Sequence, residues 1–235
     1  MKLVLWSAPD REDIVSGYYK FQSKVWPHCP YEIVPMTGDT NRGWTKRLLE
    51  FLKGIPDEVI MFNGDDFYPV CYSGGMVNED FARIEEIVRT DPSVGSAILD
   101  YNENIGAEYK DFPRFKIFGK GRVIDHSCLA PIIAKKKFMV DVSEYVLTKI
   151  TKAQDVGWAG MYNWELYGCQ KAVEWNVLGT EQPVHYRLNA VRQNKWMPDT
   201  PGVCTRLGID IDFATRGFYT GINPGVDTWE KASKK

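Results

Sequence analysis

Two adjacent aspartates follow an apolar run in the first third of the chain. Residues 59–62 read Val-Ile-Met-Phe, which predicts a strand buried on both faces, and Asp65 and Asp66 follow after Asn63 and a glycine. Open α/β sheets bind their ligands at the carboxyl ends of such strands. Neighbouring carboxylates repel each other unless solvent surrounds them or a divalent cation lies between them. The pair therefore predicts a metal site, and a solvated turn is the alternative reading.

The chemistry of that site follows from the ligand atoms. Carboxylate oxygens favour Mg²⁺ or Mn²⁺ over zinc or copper, and these ions in turn favour phosphate oxygens. The pattern thus indicates a metal that bridges a diphosphate, in which the departing phosphate would be stabilised as its bond breaks.

The elements that position these acids form an alternating pattern. Apolar segments at 3–6, 31–36, 59–62 and 97–100 predict strands, and the segments between them have helical spacing of apolar residues. This alternation predicts an α/β fold with a mainly parallel sheet covered by helices on both faces. Right-handed crossovers then place all strand ends on one rim. The polar residues expected there are Ser7, Asp39, Asp65, Asp66 and Asp100.

The second half of the chain is less regular. We predict a loop over 101–114, a strand near 128–134, a helix over 142–150 and a half-exposed strand over 173–177. Pro131 interrupts the first of these strands, which predicts an edge position or a bulge. No linker or repeat is evident, so the sequence predicts one domain over 1–235, with 196–235 as a wrapping tail.

Composition excludes several classes of protein. The chain has 235 residues, a net charge of −2 and a pI near 6, which is typical of an ordinary globular protein without general affinity for nucleic acid or anionic membranes. Charge is nevertheless uneven, because Lys110 to Lys137 contains eight lysines and arginines and two aspartates. This stretch is either a solvated face or a surface that steers a polyanionic acceptor.

Cysteines and apolar segments indicate the compartment. The five cysteines are widely spread, without metal-site or Cys-x-x-Cys spacing, so we expect reduced thiols. The first apolar run is too short for a signal peptide, and no stretch approaches membrane-spanning length. The expectation is a cytoplasmic protein.

Two pairs of motifs carry a family resemblance. The first is Gly43-Trp44 at the start of a helix, followed by the 58–62 strand and Asp65-Asp66-Phe67; the second is Gly157-Trp158 followed by Asn163-Trp164-Glu165. Over residues 1–190 the chain resembles the small nucleotide-sugar glycosyltransferases of the GT-A fold, especially a bacterial and phage group. The resemblance implies a nucleotide-sugar-binding half (1–100) and an acceptor-side half (101–195).

The resemblance also implies roles for individual residues. Asp66 is expected as the first metal ligand and Asp65 as the second, with His185 completing the site and Asn63 able to offer a carbonyl oxygen. The donor is expected to be a nucleotide sugar, a UDP-sugar first of all, and Glu165 to act as general base with Asp100 in reserve. Donor contacts are expected from Ser7, Ala8, Asp10, Arg11 and Asp39. Without a metal, Lys46, Arg47 or Arg187 would have to neutralise the leaving diphosphate.

Acceptor and reaction class have alternatives. A surface glycan or lipid-linked sugar is the common acceptor in the family, and the basic stretch also allows a hydroxymethylated phage DNA base. A nucleotidyltransferase is a second reading, but it would need a glycine-rich phosphate loop after the first strand, and residues 7–11 contain no glycine. A carbohydrate- or nucleic-acid-binding domain without activity is the third.

Overall fold

The computed structural model describes residues 1–7, 10–36, 43–72, 77–101, 105–110, 112–118 and 131–220. Strands and helices alternate through most of these ranges. The strands are β1 (Lys2–Trp6), β2 (Glu32–Met36), β3 (Val59–Gly64), β4 (Phe67–Tyr72), β5 (Val94–Tyr101), β6 (Ile105–Glu108), β7 (Lys116–Phe118), β8 (Ile132–Lys135), β9 (Asn176–Thr180), β10 (His185–Asn189), β11 (Val191–Arg192) and β12 (Lys195–Trp196). The helices are α1 (Glu12–Val25), α2 (Trp44–Gly54), α3 (Val77–Thr90), α4 (Lys136–Leu147), a 3-10 turn (Lys152–Asp155), α5 (Gly157–Ala172) and α6 (Thr200–Leu207).

Eight of the described strands form one sheet in the order β2-β1-β3-β8-β5-β9-β7-β6. β1 pairs in parallel with β2 and β3, and β5 pairs in parallel with β9. β8 runs antiparallel between β3 and β5, and β7 runs antiparallel between β9 and β6, so six of the eight strands point the same way. The predicted α/β fold with a mainly parallel sheet is confirmed.

Each face of the sheet has its own hydrophobic core. Along β1, Leu3 and Leu5 pack into the core formed with α1 and α3, whereas Val4 and Trp6 pack into the core formed with α2, α4 and α5. Alternate side chains of a strand point to opposite faces, so burial on both faces requires an unbroken apolar run. This explains the runs in β1 and β3 and confirms helices on both sides.

The strand predicted near Pro131 has a different position from the one expected. β8 lies in the middle of the sheet, paired with both β3 and β5, and is not an edge strand. Pro131 immediately precedes β8 and takes part only through its carbonyl, which accepts a hydrogen bond from the backbone of Leu99 at 2.8 Å. Because the missing N–H falls outside the ladder, a central strand tolerates the proline.

Other elements of the second half also differ from expectation. The predicted loop over 101–114 contains β6, and the predicted 173–177 strand is shifted to β9 because α5 continues to Ala172. The tail contains α6, whose first turn holds a proline and whose C-cap is Gly208 in the left-handed conformation.

The carboxyl ends of β1, β3 and β5 lie side by side and form what we call the carboxyl edge. The register of β1 and β3 places Trp6 opposite Gly64. Phe62 of β3 and Ile98 of β5 both pair with Ile132 of β8, so they lie at the same height in the sheet. Above this edge the chain leaves β3, turns at Asp65 and Asp66, and continues as β4, which pairs antiparallel with β10. The edge is therefore bordered by a two-stranded ribbon, β4–β10.

Within the described ranges, no helix has the length and apolarity needed to span a membrane. The described cysteines, Cys29, Cys71, Cys169 and Cys204, are free thiols.

Candidate active site

Asp65 lies at the carboxyl edge between β1 and β3. Its backbone N–H donates to the carbonyl of Trp6 at 3.0 Å, which continues the parallel pairing of the two strands by one residue. Ser7 therefore stands next to it, and the Ser7 hydroxyl donates to Asp65 Oδ2 at 2.6 Å. Both residues are fully buried. The acid is thus fixed by the strand register and by a neighbouring hydroxyl.

Arg11 contacts both aspartates. This residue immediately precedes α1, and its Nη1 lies 3.0 Å from Asp65 Oδ1 while its Nη2 lies 3.5 Å from Asp66 Oδ2. The expected role of Arg11 was a donor contact, so its ion pairs with the acids were not foreseen. A planar guanidinium matches two carboxylates in this way because its donors form a rigid fork.

Burial gives the two acids different properties. Burial raises the pKa of Asp65 to about 7, and the charge of Asp66 adds to this, while Arg11 and Ser7 act in the opposite direction. The side chain of Asp66 is 25% exposed. Asp65 therefore serves to hold Arg11, and Asp66 presents the carboxylate that a ligand can reach.

Asn63 lies beneath the acids. It is fully buried, and its amide nitrogen donates to the hydroxyl of Tyr18 and to the carbonyl of Phe67, both at 3.2 Å. These bonds tie the end of β3 to the start of β4. In this arrangement Asn63 shapes the turn that carries the acids.

A second guanidinium contacts Phe67, the residue that follows Asp66. Arg187, on β10, stacks over the ring of Phe67 with its guanidinium carbon 4.1 Å from the ring centroid, and its Nε lies 2.7 Å from Asp100 Oδ2. Asp100 is 4% exposed near the end of β5. The structure thus brings Asp65, Asp66 and Asp100 to one edge, where Arg11 contacts the first two acids and Arg187 contacts the third.

His185 is not brought to the acid pair. In the β4–β10 ribbon Asn189 pairs with Phe67, whereas His185 pairs with Tyr72, five residues further along β4 and about 17 Å away at strand spacing. His185 is fully buried, and burial, together with the charge of Arg187, lowers its pKa to about 3. Its surroundings suit a neutral core histidine.

His185→Gln is therefore expected to change acid stability and leave cation binding intact. The pKa of His185 in the folded protein lies below the value of about 6.5 for an unfolded histidine. Its contribution to the free energy of unfolding is therefore complete above pH 6.5 and is lost as the pH falls towards 3. Between pH 7.5 and 5 this loss is about 2 kcal/mol. Urea unfolding at both pH values should show that this loss shrinks in the variant.

Mn²⁺ titration of the same variant is the second measurement. An Mn²⁺ affinity within about threefold of the wild-type value is expected for a core histidine. A loss of affinity of about a hundredfold would show that His185 is a metal ligand.

The two stretches that carried the family resemblance pack against each other. A Cβ on Gly43 would lie 1.9 Å from Asp155 Oδ2, and a Cβ on Gly160 would lie 2.6 Å from the Cβ of Trp44. Asp155 accepts hydrogen bonds from the backbone of Thr45 at 2.7 Å and of Lys46 at 3.3 Å, so it caps α2 from 110 residues away. The glycines permit this close approach of α2 and α5.

Glu165 lies within α5, and Lys46 lies near the start of α2. Glu165 is eight residues into α5, about 12 Å along the helix from the end that abuts the start of α2. The Lys46 side chain is 65% exposed and lies 4.0 Å from Glu50. Asp10 is exposed at the entrance to α1, and the predicted donor contacts Ala8 and Asp39 lie outside the described residues.

The tail is anchored beside Arg11. Arg216 pairs with Asp13, with Nε 2.6 Å from Oδ2, and donates to the carbonyl of Asp10. Lys20 donates to the carbonyl of Asp210 at 2.6 Å. Residues 210–216 therefore hold the first turns of α1, the helix that begins next to the acid pair.

The described part of the basic stretch does not form one surface at the carboxyl edge. Lys135 pairs with Val59 at the opposite end of β3, about 20 Å from Asp65 at strand spacing. Arg114 is paired with Asp80 at 2.5 Å and Lys116 with Glu181 at 3.3 Å. These charges are locally neutralised.

A cation at this edge would depend on Asp66. Among the described residues no group of three or more histidines, cysteines and acids could hold a metal ion by itself. Asp65 already has both oxygens engaged by Ser7 and Arg11. Mg²⁺ commonly binds through one or two carboxylates together with waters and substrate phosphates, and the exposed carboxylate of Asp66 fits such a site.

Neither a family model nor a curated protein matches the chain. Solved structures of similar shape include residues 1–349 of S. aureus TarS, with 10% identity and a TM-score of 0.48 over 79% of this chain and 59% of that one. A197 from STIV matches with 12% identity and a TM-score of 0.43 over 83% of this chain and 88% of that one. A Bacillus anthracis protein described as a glucose-1-phosphate thymidylyltransferase, in complex with sucrose, has 11% identity and a TM-score of 0.44 over 92% of this chain and 99% of that one.

The chain spans 59% of the TarS fragment, so it corresponds to only part of that protein. Likeness at these scores assigns no activity. The functional argument rests on the residues at the carboxyl edge.

Proposed function

We propose that the chain is a glycosyltransferase that moves a sugar from a nucleotide-sugar donor, a UDP-sugar first of all, to a hydroxyl acceptor. One observation carries this proposal: Asp66 presents an accessible carboxylate at the carboxyl edge in contact with Arg11, and the guanidinium of Arg187 stacks on Phe67, the next residue of the chain. An accessible acid with guanidiniums near it suits a divalent cation and a diphosphate bound together.

The proposed cation is Mn²⁺ or Mg²⁺, held by Asp66. When bound, it would stabilise the negative charge that develops on the leaving diphosphate. Asp65 contributes by fixing Arg11, because its own oxygens are already engaged.

The two arginines would bind and orient the diphosphate. Breaking the bond between sugar and phosphate leaves negative charge on the phosphate oxygens, and fixed cations stabilise that charge without having to reorganise. Arg187 is held by stacking on Phe67 and by Asp100, and Arg11 is held by Asp65. Both guanidiniums are therefore oriented before the donor arrives.

The acceptor side needs a group that takes the hydroxyl proton. Asp100 lies at the carboxyl edge beside Arg187, whereas Glu165 lies lower along α5. We therefore place Asp100 before Glu165 as the general base. As acceptor we favour a glycan or lipid-linked sugar over DNA, because Arg114 and Lys116 of the basic stretch are ion-paired and Lys135 lies at the opposite edge.

The test is a panel of UDP-, GDP- and dTDP-sugars incubated with Mn²⁺ and assayed for released nucleoside diphosphate. Release from at least one donor, abolished by chelator, is the expected result. Pyrophosphate release from a nucleoside triphosphate and a sugar phosphate would point to a nucleotidyltransferase instead. Calorimetry without any metal-dependent nucleotide binding would point to a domain without this activity.

A further inference from the structure

Arg11 occupies the space between the two carboxylates that the sequence assigns to a metal. Its guanidinium spans both acids, with contacts of 3.0 Å to Asp65 and 3.5 Å to Asp66. The acid pair therefore already has a monovalent counter-ion supplied by the chain itself.

The two contacts of Arg11 differ in strength. Asp65 is fully buried and is also held by the Ser7 hydroxyl at 2.6 Å, so it cannot turn away from the guanidinium. Asp66 is 25% exposed, and its 3.5 Å contact is beyond the usual hydrogen-bond distance. The contact with Asp66 is the one that can be exchanged for another cation.

We propose that Arg11 is an internal counter-ion that makes divalent-cation binding at Asp66 conditional on the diphosphate. Without nucleotide, a cation on Asp66 meets the like charge of a guanidinium that shares the same carboxylate, and its binding is weakened. A diphosphate brings enough negative charge to attract both cations at once. Repulsion between metal and arginine is then replaced by shared attraction to the phosphates.

Arg11 also retains a donor for such a ligand. Its Nε is buried and has no hydrogen-bond partner in the described part of the chain. Because this atom is covered, a phosphate oxygen would satisfy it only after the guanidinium turns towards the ligand; a metal ion alone would leave it unsatisfied. The inference deepens the proposed function and rests on it for the nature of the diphosphate.

Linkage gives the proposal a quantitative form. If the diphosphate tightens cation binding by some factor, the cation tightens diphosphate binding by the same factor. We expect a factor of at least about tenfold in the wild type and a smaller one when the charge of Arg11 is removed, although the phosphate ligands keep it above one.

The experiment measures Mn²⁺ affinity by electron paramagnetic resonance, with and without UDP, in the wild type and in Arg11→Met. Methionine keeps an apolar stem and removes the charge. Without UDP the variant should bind Mn²⁺ at least about tenfold more tightly than the wild type, and UDP should tighten Mn²⁺ binding by a smaller factor in the variant than in the wild type. Arg83→Met, an exposed arginine of α3 paired with Glu86, is the matched control and should behave as the wild type.

An Mn²⁺ affinity in Arg11→Met that equals or falls below the wild-type value, in the absence of UDP, would overturn the proposal. Circular dichroism shows whether the variant is folded. If it is not, Arg11→Lys replaces it: lysine keeps the charge but reaches only one carboxylate, so Mn²⁺ binding without UDP should tighten by about twofold to fivefold. No tightening in that folded variant overturns the proposal equally.

The result separates this inference from the proposed function. A wild type that binds no nucleoside diphosphate under any condition contradicts the glycosyltransferase assignment, while tighter Mn²⁺ binding in Arg11→Met still supports the counter-ion role. Metal-dependent UDP binding in the wild type, with no change of Mn²⁺ affinity in the variant, supports the function and rejects the role of Arg11.

Discussion

Asp66→Asn is expected to lower metal-dependent turnover of the donor sugar at least about 100-fold. The substitution keeps the size of the side chain and removes the charge of the one accessible carboxylate beside Arg11. The loss should appear in kcat/KM for nucleotide release, together with a weaker response to added Mn²⁺.

The matched control for this prediction is Asp141→Asn. Asp141 has the same 25% exposure and pairs with Lys137 on α4, away from the carboxyl edge. We expect its turnover to stay within about twofold of the wild type. If Asp66→Asn turned over donor at the wild-type rate even after chelator treatment, the site would have to be elsewhere.

Gly43→Ala should reduce the free energy of unfolding by about 2–4 kcal/mol. A Cβ at this position would lie 1.9 Å from Asp155 Oδ2 and 2.7 Å from its Cγ. Asp155 is buried and bonded to two backbone N–H groups at the start of α2, so it cannot move aside without uncapping that helix. Urea denaturation monitored by circular dichroism measures the change.

Two comparisons show whether the clash is responsible. Gly54→Ala at the other end of α2 meets nothing within 4 Å and should be neutral or stabilising by up to about 1 kcal/mol. In an Asp155→Ala background, Gly43→Ala should cost at least about 1 kcal/mol less than in the wild type. Additive effects of the two substitutions would contradict a direct clash.

The first hundred residues could be predicted well because their signals are local. β1 and β3 lie in the middle of the sheet, and burial on both faces left continuous apolar runs at 3–6 and 59–62. The helices α1 and α2 follow from apolar residues at helical spacing. Because the strand ends share one edge, the sequence also predicted that Ser7 and Asp65 lie at the same rim.

β8 could not be placed in this way. Its position between β3 and β5 depends on pairing with strands distant in sequence, and a four-residue strand preceded by proline has no local feature that separates a central position from an edge. β4 was missed for a similar reason, because Phe67 and its neighbours directly follow a turn and pair with residues 185–189.

In the site, too, some features could be predicted from the sequence and others depend on contacts between distant residues. The identity of the acids was readable from sequence, but their partners were not. Nothing in the spacing of Arg11 indicates that it spans Asp65 and Asp66, and Asp100 and Arg187, which form an ion pair, are separated by 86 intervening residues. The Gly43-Trp44 and Gly157-Trp158 stretches were singled out for a family resemblance; in the structure Trp44 meets Gly160 of α5, and Asp155 caps α2.

The anchoring of the tail has a consequence for biosynthesis. Arg216 bonds to Asp13 across 203 positions, and Lys20 bonds to Asp210 across 190. A nascent chain on the ribosome can form β1 to β3 early, but α1 gains these restraints only after residues 210–216 have emerged. Contacts between residues so distant in sequence slow folding, so the arrangement of α1 beside the acid pair should be completed late.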